Sequence, residues 1–493
     1  MISIVTEKAK QRSYTESDFH ITHLPHLDSA ELFSSIVDEP WAMFFDSGAL
    51  VHDGEPSSWA RFDVLAMCPD STLVFNGEVT QYRLGGNDLR LYGDPLALLQ
   101  TAIPDCESSI KGAYLPGAYG YFSYDLARQF EAIPNLADDD ENLPQMAMGI
   151  YSVILVVDHK RRKSKLIRLG DSPTSVELEA RWLKLVLEHQ EELLEREVEL
   201  IQGFDALPTL EPENFTLGAT DLNESLNWDQ YQLAFAKVRQ YTKNGDCYQV
   251  NLTKRFEAET ETDAWDAYRS LRTNSPAPYG CFMNLPFAQI LSNSPERFVQ
   301  CRDNKVKTSP IKGTRARNHD DPVLDREIAE ELKVSEKDRA ENLMIVDLMR
   351  NDLSRACELG SVKVPNLFAL HSFANVHHLI STVTGVLRNG LHALDLLRCC
   401  FPGGSITGAP KIRSMEIIEE LEPTRRGLYC GAVGYIGVDG NMETNIAIRT
   451  IVIKDGVARF SAGGGLVIDS DVEDEYQELI DKASMMTATV LGN

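Results

Sequence analysis

Positive charge is scarce in this chain. Lysine and arginine number 48 against 74 aspartate and glutamate residues, which gives a formal net charge of −26. Nucleic-acid binding needs a basic face, and anionic membrane surfaces attract basic clusters, so the composition argues against both partners. It leaves room for a small anionic substrate that a few local cations hold.

Disulfides, zinc clusters and membrane segments are not indicated either. The 9 cysteines include no CxxC pair and their number is odd, so we expect reduced thiols and a cytoplasmic location. The opening MISIVTEKAKQRS lacks the apolar core of a secretory signal. The longest strongly apolar stretch, Met148–Val157, is too short to cross a bilayer.

Common phosphate and amidotransferase motifs are missing too. Residues 403–411, GGSITGAPK, form a glycine- and hydroxyl-rich loop before a helical segment, which suits a small carboxylate. The lysine follows Ala-Pro, so the loop is neither a P-loop nor a dinucleotide fingerprint, and a tight glycine turn is the alternative. No cysteine lies in a GxCxG elbow, so ammonia from glutamine would have to come from another chain.

The pattern of apolar residues divides the chain into two halves. Residues 1–170 are mostly strand-like, with a predicted hairpin of Gly149–Val157 and Ser164–Arg168 around the polar DHKRRK. Residues 174–201 are predicted as a helix whose glutamates form a solvated face. Residues 203–228 lack periodicity, so we expect an N-terminal region 1–202, a connector 203–228 and a C-terminal catalytic region 229–493.

The C-terminal half is predicted to mix short strands with helices. Strands are expected at 280–284, 289–292, 298–302 and 305–308, and helices at 229–243, 337–350 and 473–487. A meander is expected over 428–438, 442–453 and 457–462, because its two Asp-Gly pairs favour tight hairpin turns. GAYGY at 117–121 recurs as GAVGY at 431–435, which two equivalent strands in two related sheets would explain.

The last predicted helix carries two carboxylates on one face. Glu475, Glu478 and Lys482 are spaced three and four residues apart, so their side chains are neighbours. Paired carboxylates can hold a hard divalent cation, which prefers oxygen ligands. The alternative, which the spacing alone favours, is an exposed ion pair between Glu478 and Lys482.

A third carboxylate is predicted to be buried. Glu341 continues the apolar stripe of Ile345 on its helix, and a buried charge needs a partner. That partner is either a metal ion or an arginine such as Arg339 or Arg350, and the sequence favours neither.

Two strand junctions carry candidate acid, base or nucleophile groups. Lys312 lies between an apolar residue and a glycine directly after a strand, so it is a nucleophile or base, or else an ordinary surface lysine. Glu296 is either an acid/base group or the partner of Arg297. The His377-His378 pair has no zinc-binding spacing around it.

Together and in this order, these segments resemble the chorismate-utilising enzymes. The segments are DCYQVNLTKRF (246–256), SPERF (294–298), PIKGTRAR (310–317), DRAENLMIVDLMRNDL (338–353), HHLISTVTG (377–385), FPGGSITGAPKIRSMEIIEELEP (401–423), GLYCGAVGYIG (427–437) and AGGGLVIDSDVEDEYQELIDKA (462–483). LFSSIVDEPWAMFFDSG (32–48) and GAYGYFSYDLARQFE (117–131) extend the resemblance to the N-terminal half. It implies an α+β fold of two large antiparallel sheets packed as a sandwich with helices outside, built from both halves.

Within that family, two positions imply the type of reaction. Anthranilate synthase large subunits usually carry alanine where this chain has Lys312, and isochorismate-type enzymes also lack this lysine. Isochorismate-type enzymes instead place a water-activating lysine at the position of Gln249. The resemblance therefore implies amination of chorismate to 4-amino-4-deoxychorismate for para-aminobenzoate and folate synthesis, with ammonia from a glutamine amidotransferase subunit.

The resemblance also implies roles for the charged candidates. Lys312 would attack ring carbon C2 of chorismate as a neutral amine, and ammonia would then replace it by adding at C4. Glu296 would assist proton transfer at the departing hydroxyl. Glu341 and Glu478 would bind Mg²⁺, with Glu475 reaching the ion directly or through water.

The remaining family positions imply a substrate pocket. Tyr429 and Arg449 would hold the enolpyruvyl carboxylate. Ser405, the Gly463–Gly465 backbone and Lys482 would line other parts of the pocket. His378 matches a histidine linked to pyruvate elimination in anthranilate synthases, whereas amination should retain the enolpyruvyl group.

Two alternative functions stay open at this stage. The chain could be the lyase component of an anthranilate synthase, which Lys312 disfavours. It could also be a non-catalytic subunit that senses an aromatic amino acid, which the complete set of catalytic positions disfavours. Ser34, Pro278 and Tyr279 match part of a pocket in which anthranilate-type members bind tryptophan.

Overall fold

The computed structural model of this protein describes residues 13–48, 51–52, 55–56, 60–107, 114–201, 216–372 and 376–491. Within these ranges, two twelve-stranded sheets carry most of the strands, and two pairs of short strands lie apart from them. No helix in these ranges combines the length and the apolar character needed to cross a membrane.

The strands are numbered in chain order. Strands β1 to β14 are Ser13–Thr15, Phe19–Pro25, Ala42–Asp46, Val51–His52, Glu55–Pro56, Phe62–Ala66, Ser71–Phe75, Thr80–Leu84, Asn87–Leu91, Asp105–Glu107, Gly117–Phe122, Met146–Tyr151, Val153–Asp158 and Lys163–Leu169. Strands β15 to β28 are Asn223–Glu224, Gln249–Glu259, Tyr279–Leu285, Ala288–Ser294, Arg297–Arg302, Lys305–Thr308, Ile311–Ala316, Lys363–Ser372, Val376–Val386, Gly408–Ala409, Ala432–Gly437, Met442–Asn445, Thr450–Lys454 and Val457–Leu466.

The α-helices follow local start and stop signals. Helices α1 to α10 are Ser29–Ser34, Pro95–Ala102, Pro173–Ile201, Trp228–Asn244, Ala264–Asn274, Pro322–Val334, Glu336–Ala356, Ala393–Cys400, Lys411–Leu421 and Val472–Leu491. In α4, Asn227 and Gln230 form a capping box at the start, and Gly245 ends the helix with a φ of 83°. The helices predicted at 174–201, 229–243, 337–350 and 473–487 are all confirmed.

Each large sheet is antiparallel and contains strands from both halves of the chain. The first sheet has the order β21-β23-β20-β19-β26-β25-β11-β12-β7-β8-β9, with β22 beside β23. The second sheet has the order β15-β16-β28-β27-β18-β17-β3-β6-β13-β14-β2, with β24 beside β16. The two halves meet where β11 pairs with β25 and where β3 pairs with β17.

Apolar side chains fill the space between the two sheets and also pack between the outer face of each sheet and its helices. One cluster joins Tyr119 and Tyr435 of the first sheet to Met43 and Ile290 of the second. A second cluster packs α1, α3, α4, α5, α9 and α10 against the second sheet, and a third packs α2, α7 and α8 against the first. The predicted α+β sandwich with helices outside is therefore confirmed.

The pairs β11–β25 and β3–β17 lie at the centres of the two sheets. From each of these central pairs outward, the order of the strands is nearly the same on both sides. In the first sheet, β11, β12, β7 and β8 mirror β25, β26, β19 and β20. The repeated GAYGY and GAVGY motifs lie on β11 and β25, where Tyr119 faces Tyr435 and Gly120 faces Gly434. The motifs mark equivalent strands, as predicted, but these strands are neighbours in one sheet rather than members of two.

Two segments that were each predicted as one strand are two strands in different sheets. Residues 149–157 divide at Ser152 into β12 of the first sheet and β13 of the second. Residues 442–453 divide in the same way into β26 and β27, separated by Ile446–Arg449. The hairpin that was predicted around DHKRRK is present as β13 and β14.

Only the end of the predicted connector lies in the described ranges. Residues 203–215 are outside them. Leu217 and Ala219 donate backbone hydrogen bonds of 2.8 and 3.0 Å to the carbonyl oxygens of Thr489 and Val490, at the end of α10. This part of the connector is therefore attached to the C-terminal half.

Candidate active site

The glycine-rich end of β28 brings Lys312 and Gln249 together. A Cβ atom at Gly465 would overlap the side-chain amide of Gln249 and would lie 3.3 Å from Lys312 Nζ. Gly465 faces Asn251 across the β16–β28 pair, so the strand register places it near Gln249, whereas Lys312 comes from β21 of the other sheet. Glycine is needed here because any side chain would fill the space between the amine and the amide.

The Gln249 side chain is buried without satisfying its hydrogen bonds. It is fully buried, and neither its amide nitrogen nor its amide oxygen has a hydrogen-bond partner in the described part of the chain. Unpaired buried polar groups cost free energy, so they are expected mainly where a ligand supplies the missing partner. The backbone of Gln249 is held by β24 and by a 2.9 Å hydrogen bond from the Ser414 hydroxyl.

Lys312 projects from β21 between two groups of carboxylates. Its charge acts on Glu296 on one side and on Glu341 and Glu478 on the other. Among the residues that the structure describes, none forms a hydrogen bond or close ion pair with the amine. The amine therefore remains available to a ligand.

Glu296 is a buried carboxyl group with a pKa near neutrality. Burial raises the pKa of Glu296 to about 7, although a hydrogen bond from Ser405 and the charge of Lys312 oppose the rise. The Ser405 hydroxyl donates to Glu296 Oε1 at 2.9 Å. Arg297, the alternative partner, instead pairs with Glu443 at 2.7 Å. Glu296 can thus exchange a proton near neutral pH.

The other three candidate carboxylates lie near one another, on α7 and α10. Burial raises the pKa of Glu341, and the negative charge of Glu475 adds to the rise. Burial also raises the pKa of Glu475, and Glu478 adds to that rise. Burial opposes ionisation of Glu478 as well, but Lys482 outweighs it and lowers the pKa of Glu478.

Lysine side chains balance these carboxylates. Lys482 Nζ lies 2.6 Å from Glu478 Oε1 and donates to the Gly463 carbonyl at 3.2 Å. Lys337 Nζ lies 3.8 Å from Glu475 Oε1. The predicted Glu478–Lys482 ion pair is therefore present, and a cation from α7 faces Glu475 as well.

The arginine partners suggested for Glu341 are not its partners. Arg350 pairs with Asp347 at 2.9 Å, and the Arg339 guanidinium lies 5.0 Å from the centre of the Phe368 ring. Neither arginine forms an ion pair with Glu341 in the described part of the chain, so that alternative was wrong.

The three carboxylates suit an open magnesium site rather than a closed metal cage. Within the described ranges, no three acidic, histidine or cysteine side chains meet closely enough to form a complete cage. Mg²⁺ often takes only one or two protein carboxylates and keeps waters or substrate oxygens as its other ligands. A Cβ at Gly464 would lie 3.2 Å from Glu475 Oε2, so the missing side chain leaves room beside this carboxylate. The donor set therefore fits the ion.

Arg449 lies in the crossover from β26 to β27, and Tyr429 lies in the adjoining loop before β25. Backbone hydrogen bonds of 2.8 and 2.9 Å join Cys430 and Gly431 to Ala447, which ties the loops together. Arg449 adopts a left-handed φ of 50°, which is rare for a side chain of this size. The crossover places both side chains in the same part of the molecule.

The Arg449 side chain is half-buried, and its guanidinium has no counter-charge among the described residues. Partial burial lowers the pKa of Arg449, and no described carboxylate forms an ion pair with it. A partly desolvated, unpaired guanidinium is costly, and an anionic ligand would relieve that cost. Burial also raises the pKa of Tyr429, so its hydroxyl stays neutral and can donate a hydrogen bond.

His378 is a neutral histidine at the floor of the same region. Burial and the nearby Arg449 charge lower the pKa of His378 to about 4. Its Nδ1 lies 2.9 Å from the Thr314 hydroxyl, two residues beyond Lys312. The neighbouring His377 contacts Asp325 at 3.0 Å and Ser372 at 2.7 Å, so it is a structural residue of the sheet.

The loop 403–411 is shaped by packing more than by anion binding. A Cβ at Gly403 would collide with Ile446, and one at Gly404 would collide with Leu348. Lys411 is paired with Asp352 at 2.7 Å, so its charge is already matched. The alternative interpretation, a tight glycine turn, thus accounts for most of this loop. The loop contributes Ser405 to the candidate site.

The three residues of the candidate tryptophan pocket have different surroundings. Ser34 is exposed and accepts a 2.8 Å hydrogen bond from the Trp265 indole. Pro278 is buried. The Tyr279 ring packs under Arg297 at 5.2 Å, and its buried hydroxyl has no partner among the described residues.

Sequence reasoning missed Lys337, Ser470 and Thr314. Ser470 donates a 2.7 Å hydrogen bond to Glu475 Oε1, and its position in the turn before α10 is the only local signal of that role. Lys337 precedes Glu341 by one helical turn, so an i, i+4 comparison on α7 could have identified it.

Comparison with known proteins adds the family. The family model for chorismate binding enzymes matches residues 62–488. The chain belongs to the chorismate binding enzyme family. It is therefore an enzyme that acts on chorismate, and the residues around β28 lie within the matched region.

Three similar proteins show how far the likeness extends. "Aminodeoxychorismate synthase component 1" of Escherichia coli strain K12 is 44% identical over 471 residues, covering 94% of this chain and 96% of that protein. "Anthranilate synthase component 1" of Mycolicibacterium smegmatis is 35% identical over 439 residues, covering 86% and 82%. The crystal structure of anthranilate synthase component I from Streptococcus pneumoniae has a TM-score of 0.74 at 32% identity and covers 88% of this chain and 94% of that one.

Proposed function

We propose that this chain is the chorismate-aminating component of an aminodeoxychorismate synthase. It would convert chorismate and ammonia to 4-amino-4-deoxychorismate, a precursor of para-aminobenzoate and folate. The 44% identity to the Escherichia coli aminodeoxychorismate synthase component, against 35% for an anthranilate synthase component, supports this choice.

The observation that carries the proposal is the placement of Lys312. Its unpaired amine lies beside the unsatisfied amide of Gln249, and its charge acts on Glu296, whose pKa is about 7. A nucleophile, an acid and a vacant hydrogen-bonding amide are the groups that a two-step displacement on an allylic alcohol requires. The region 229–493, which we propose as the catalytic region, supplies all three.

In the proposed reaction, Glu296 gives one proton to the leaving hydroxyl and recovers one proton from the new ammonium group. Lys312 Nζ bonds to ring carbon C2, both double bonds of the ring diene shift towards C4, and the C4 hydroxyl leaves as water with a proton from Glu296. Ammonia then bonds to C4, both double bonds shift back, and the bond between Lys312 and C2 breaks. The new ammonium group returns a proton to Glu296, so chorismate and ammonia give the amine and water.

Gln249 and His378 would position reactants without acting as bases. The Gln249 amide can accept a hydrogen bond from ammonia but cannot remove a proton from water, which disfavours hydration. His378 is neutral at pH 7 because its pKa is about 4, so it would orient the substrate. Arg449 and Tyr429 would hold the enolpyruvyl carboxylate, and Ser405, Gly463, Gly464 and Lys482 would line the pocket.

Mg²⁺ is the cofactor that we propose, with Glu341 and Glu478 as ligands and Glu475 bound directly or through water. When bound, the ion would coordinate the ring carboxylate of chorismate and draw electron density from the diene. Ser470 and Lys482 would keep Glu475 and Glu478 oriented through the hydrogen bonds described above.

A second subunit would supply the ammonia. The similar proteins are named component 1, so we expect a second component, and we propose a glutamine amidotransferase. Most free ammonia is protonated at neutral pH, and a partner that releases it at the site would avoid this loss. Ser34, Pro278 and Tyr279 are proposed as part of an effector pocket, and the location is proposed to be cytoplasmic.

The test uses the purified chain with chorismate, MgCl₂ and an ammonium salt at alkaline pH. We expect a product that gains nitrogen and retains the enolpyruvyl group, detected by chromatography and mass spectrometry. Lys312→Ala should reduce its formation by about 10³-fold or more, whereas Lys305→Ala, an exposed lysine on β20, should not.

Two results would contradict the proposal. Release of pyruvate with fluorescent anthranilate as the main product would identify the lyase reaction instead. No turnover of chorismate with any nitrogen source, despite a folded protein, would favour the non-catalytic subunit.

A further inference from the structure

Lys337 occupies an unusual place beside the proposed metal ligands. It lies in the first turn of α7, its side chain is 61% exposed, and its Nζ lies 3.8 Å from Glu475 Oε1 on α10. Its positive charge opposes the rise in the pKa of Glu341 and Glu475 and contributes to the lowered pKa of Glu478, so it faces the whole carboxylate group.

The charges at this end of the site are already balanced without a metal ion. Glu341, Glu475 and Glu478 carry three negative charges when ionised. In the resting state, before Lys312 gives up a proton to act as a nucleophile, Lys312, Lys337 and Lys482 carry three positive charges, and each of them acts on Glu341, Glu475 or Glu478. A divalent cation that enters this group meets three ammonium groups, so at least one of them must move away or its binding is weakened.

Of the three lysines, Lys337 is the one that can leave. Lys482 is held by Glu478 at 2.6 Å and by the Gly463 carbonyl at 3.2 Å. Lys312 projects from a strand into the region between the carboxylates. Lys337 has a single long contact, no hydrogen bond to another described residue, and a side chain that is mostly in solvent.

We propose that Lys337 is a displaceable counter-ion of the magnesium site. Before the metal binds, its ammonium group neutralises Glu475 and Glu341 and keeps the like-charged carboxylates together. When Mg²⁺ arrives, Lys337 swings into solvent, and its charge sets how tightly the ion binds without substrate. This inference rests on the proposed use of Mg²⁺ by the chain.

The competing interpretation is an ordinary surface ion pair. Exposed pairs contribute little to stability, and such a pair would not be linked to metal binding. The two interpretations differ in one measurable respect, because a counter-ion competes with Mg²⁺ and a surface pair does not.

The experiment measures binding of MgCl₂ to the full-length chain by isothermal titration calorimetry without chorismate. Lys337→Met should bind Mg²⁺ about five- to tenfold more tightly than the wild type, because one positive charge near the ion is gone. Lys337→Arg keeps the charge and should stay within about twofold of the wild type. Lys333→Met is the matched control, since Lys333 is 53% exposed and pairs with Glu330 on α6.

Thermal unfolding gives a second readout, which is the rise in unfolding temperature that Mg²⁺ causes. A purely structural role of Lys337 would leave that rise the same in the variant and in the wild type. Without Mg²⁺, Lys337→Met should unfold at a lower temperature, because the carboxylates lose a counter-charge. Saturating Mg²⁺ should raise its unfolding temperature by more than it raises that of the wild type. A surface ion pair would lower both temperatures equally.

The outcomes separate this inference from the proposed function. Unchanged or weaker Mg²⁺ binding in Lys337→Met would overturn the inference. So would a complete absence of Mg²⁺ binding in both proteins, since removal of Lys337 should expose the site. In either case, Mg²⁺ dependence of chorismate turnover decides whether the proposed magnesium cofactor stands.

Discussion

At the scale of single residues, the hydrogen bond from Ser405 to Glu296 tunes the proposed acid. This bond stabilises the ionised carboxylate and so lowers a pKa that burial has raised to about 7. Ser405→Ala should therefore raise the pKa of Glu296 further. Because the acid is active when protonated, the alkaline limb of kcat/KM should move to higher pH by about 0.5–1 unit.

A pH profile of amination with saturating ammonia measures this shift. Ser484→Ala on the exposed side of α10 is the control, and its profile should match that of the wild type. An alkaline limb that stays in place, or moves to lower pH, would show that Glu296 is not the group that titrates.

Replacing Arg449 is expected to change stability and activity in opposite directions. Its half-buried guanidinium lacks a counter-charge in the described structure, so Arg449→Met removes a partly desolvated charge and should raise the unfolding temperature. The same change should raise the KM for chorismate by about 100-fold, because a charge-assisted carboxylate contact is lost.

Steady-state kinetics and calorimetric melting test both effects. Arg350→Met is the comparison, since Arg350 is 53% exposed and forms an exposed ion pair with Asp347, so neither quantity should change much. An unchanged KM in Arg449→Met would place the enolpyruvyl carboxylate elsewhere.

The site residues were predictable from the sequence to different degrees. Lys312 and Gln249 lie in separate motifs, and the structure brings them together at Gly465 as the resemblance implied. The surroundings of Glu341 were not predictable, because the helix pattern offered Arg339 and Arg350 as partners. One of the cations that face the carboxylates is Lys337, and its contact with Glu475 depends on how α7 packs beside α10.

At the scale of elements, two adjacent glycines at the end of β28 lie beside different parts of the candidate site, one beside a proposed metal ligand and the other beside the Gln249 amide. A Cβ at Gly464 would press on Glu475 at 3.2 Å, whereas one at Gly465 would displace the Gln249 amide. Gly464→Ala should weaken Mg²⁺ binding and leave the choice of nucleophile unchanged. Gly465→Ala should keep Mg²⁺ binding and reduce amination by about 100-fold or more, because Gln249 must move.

These two variants act as controls for each other. Calorimetric Mg²⁺ titration and product analysis are to be run on both proteins, and circular dichroism checks that the strand is retained. Equal losses of metal binding and amination in both variants would mean that β28 does not divide the site in this way.

The division of strands between the sheets could not be predicted from apolar patterns. Residues 149–157 and 442–453 are apolar or buried on both faces, because each sheet packs against the other sheet and against helices. A strand that is buried on both sides lacks the alternation that would mark a change of sheet. The crossover at Ile446–Arg449 is thus visible only in the structure, although it positions Arg449 for the site.

At the scale of the whole molecule, one buried ion pair ties together the N-terminal parts of the second sheet. Asp63 on β6 lies 2.8 Å from His159, which precedes β14, and also contacts Ser29 on α1. Burial opposes ionisation of Asp63, but His159, Arg272 and Ser29 outweigh it and lower its pKa to about 2. Burial also opposes protonation of His159, but Asp63 raises its pKa above the usual value.

The pH dependence of stability follows from these two shifts. The contribution of Asp63 is present above about pH 4 and is lost as the pH falls towards 2. The contribution of His159 is present below about pH 6.5 and is lost as the pH rises through its higher folded pKa. His159→Gln should therefore lower the unfolding temperature most at about pH 5.5 and least at pH 8.5.

Calorimetric melting at both pH values measures this difference. The groups that face His159 are Asp63, Asp46, Arg272 and His26, and none of them is changed in the variant. The exposed His23→Gln is the control and should show no such trend. A loss of stability that is the same at both pH values would mean that His159 stabilises the fold without its charge.

The near-symmetry of the sheets about the central strand pairs fits an origin by gene duplication and fusion. A chain whose halves join through β11–β25 and β3–β17, with nearly the same strand order on either side, is what the duplication and fusion of a symmetric homodimer would leave. The counterpart of β28 and α10 is then β14 and α3, where Arg168 is neutralised by Glu179 at 2.6 Å. The candidate site thus lies at the end of one copy, whereas the ion pair of Arg168 occupies the corresponding end of the other.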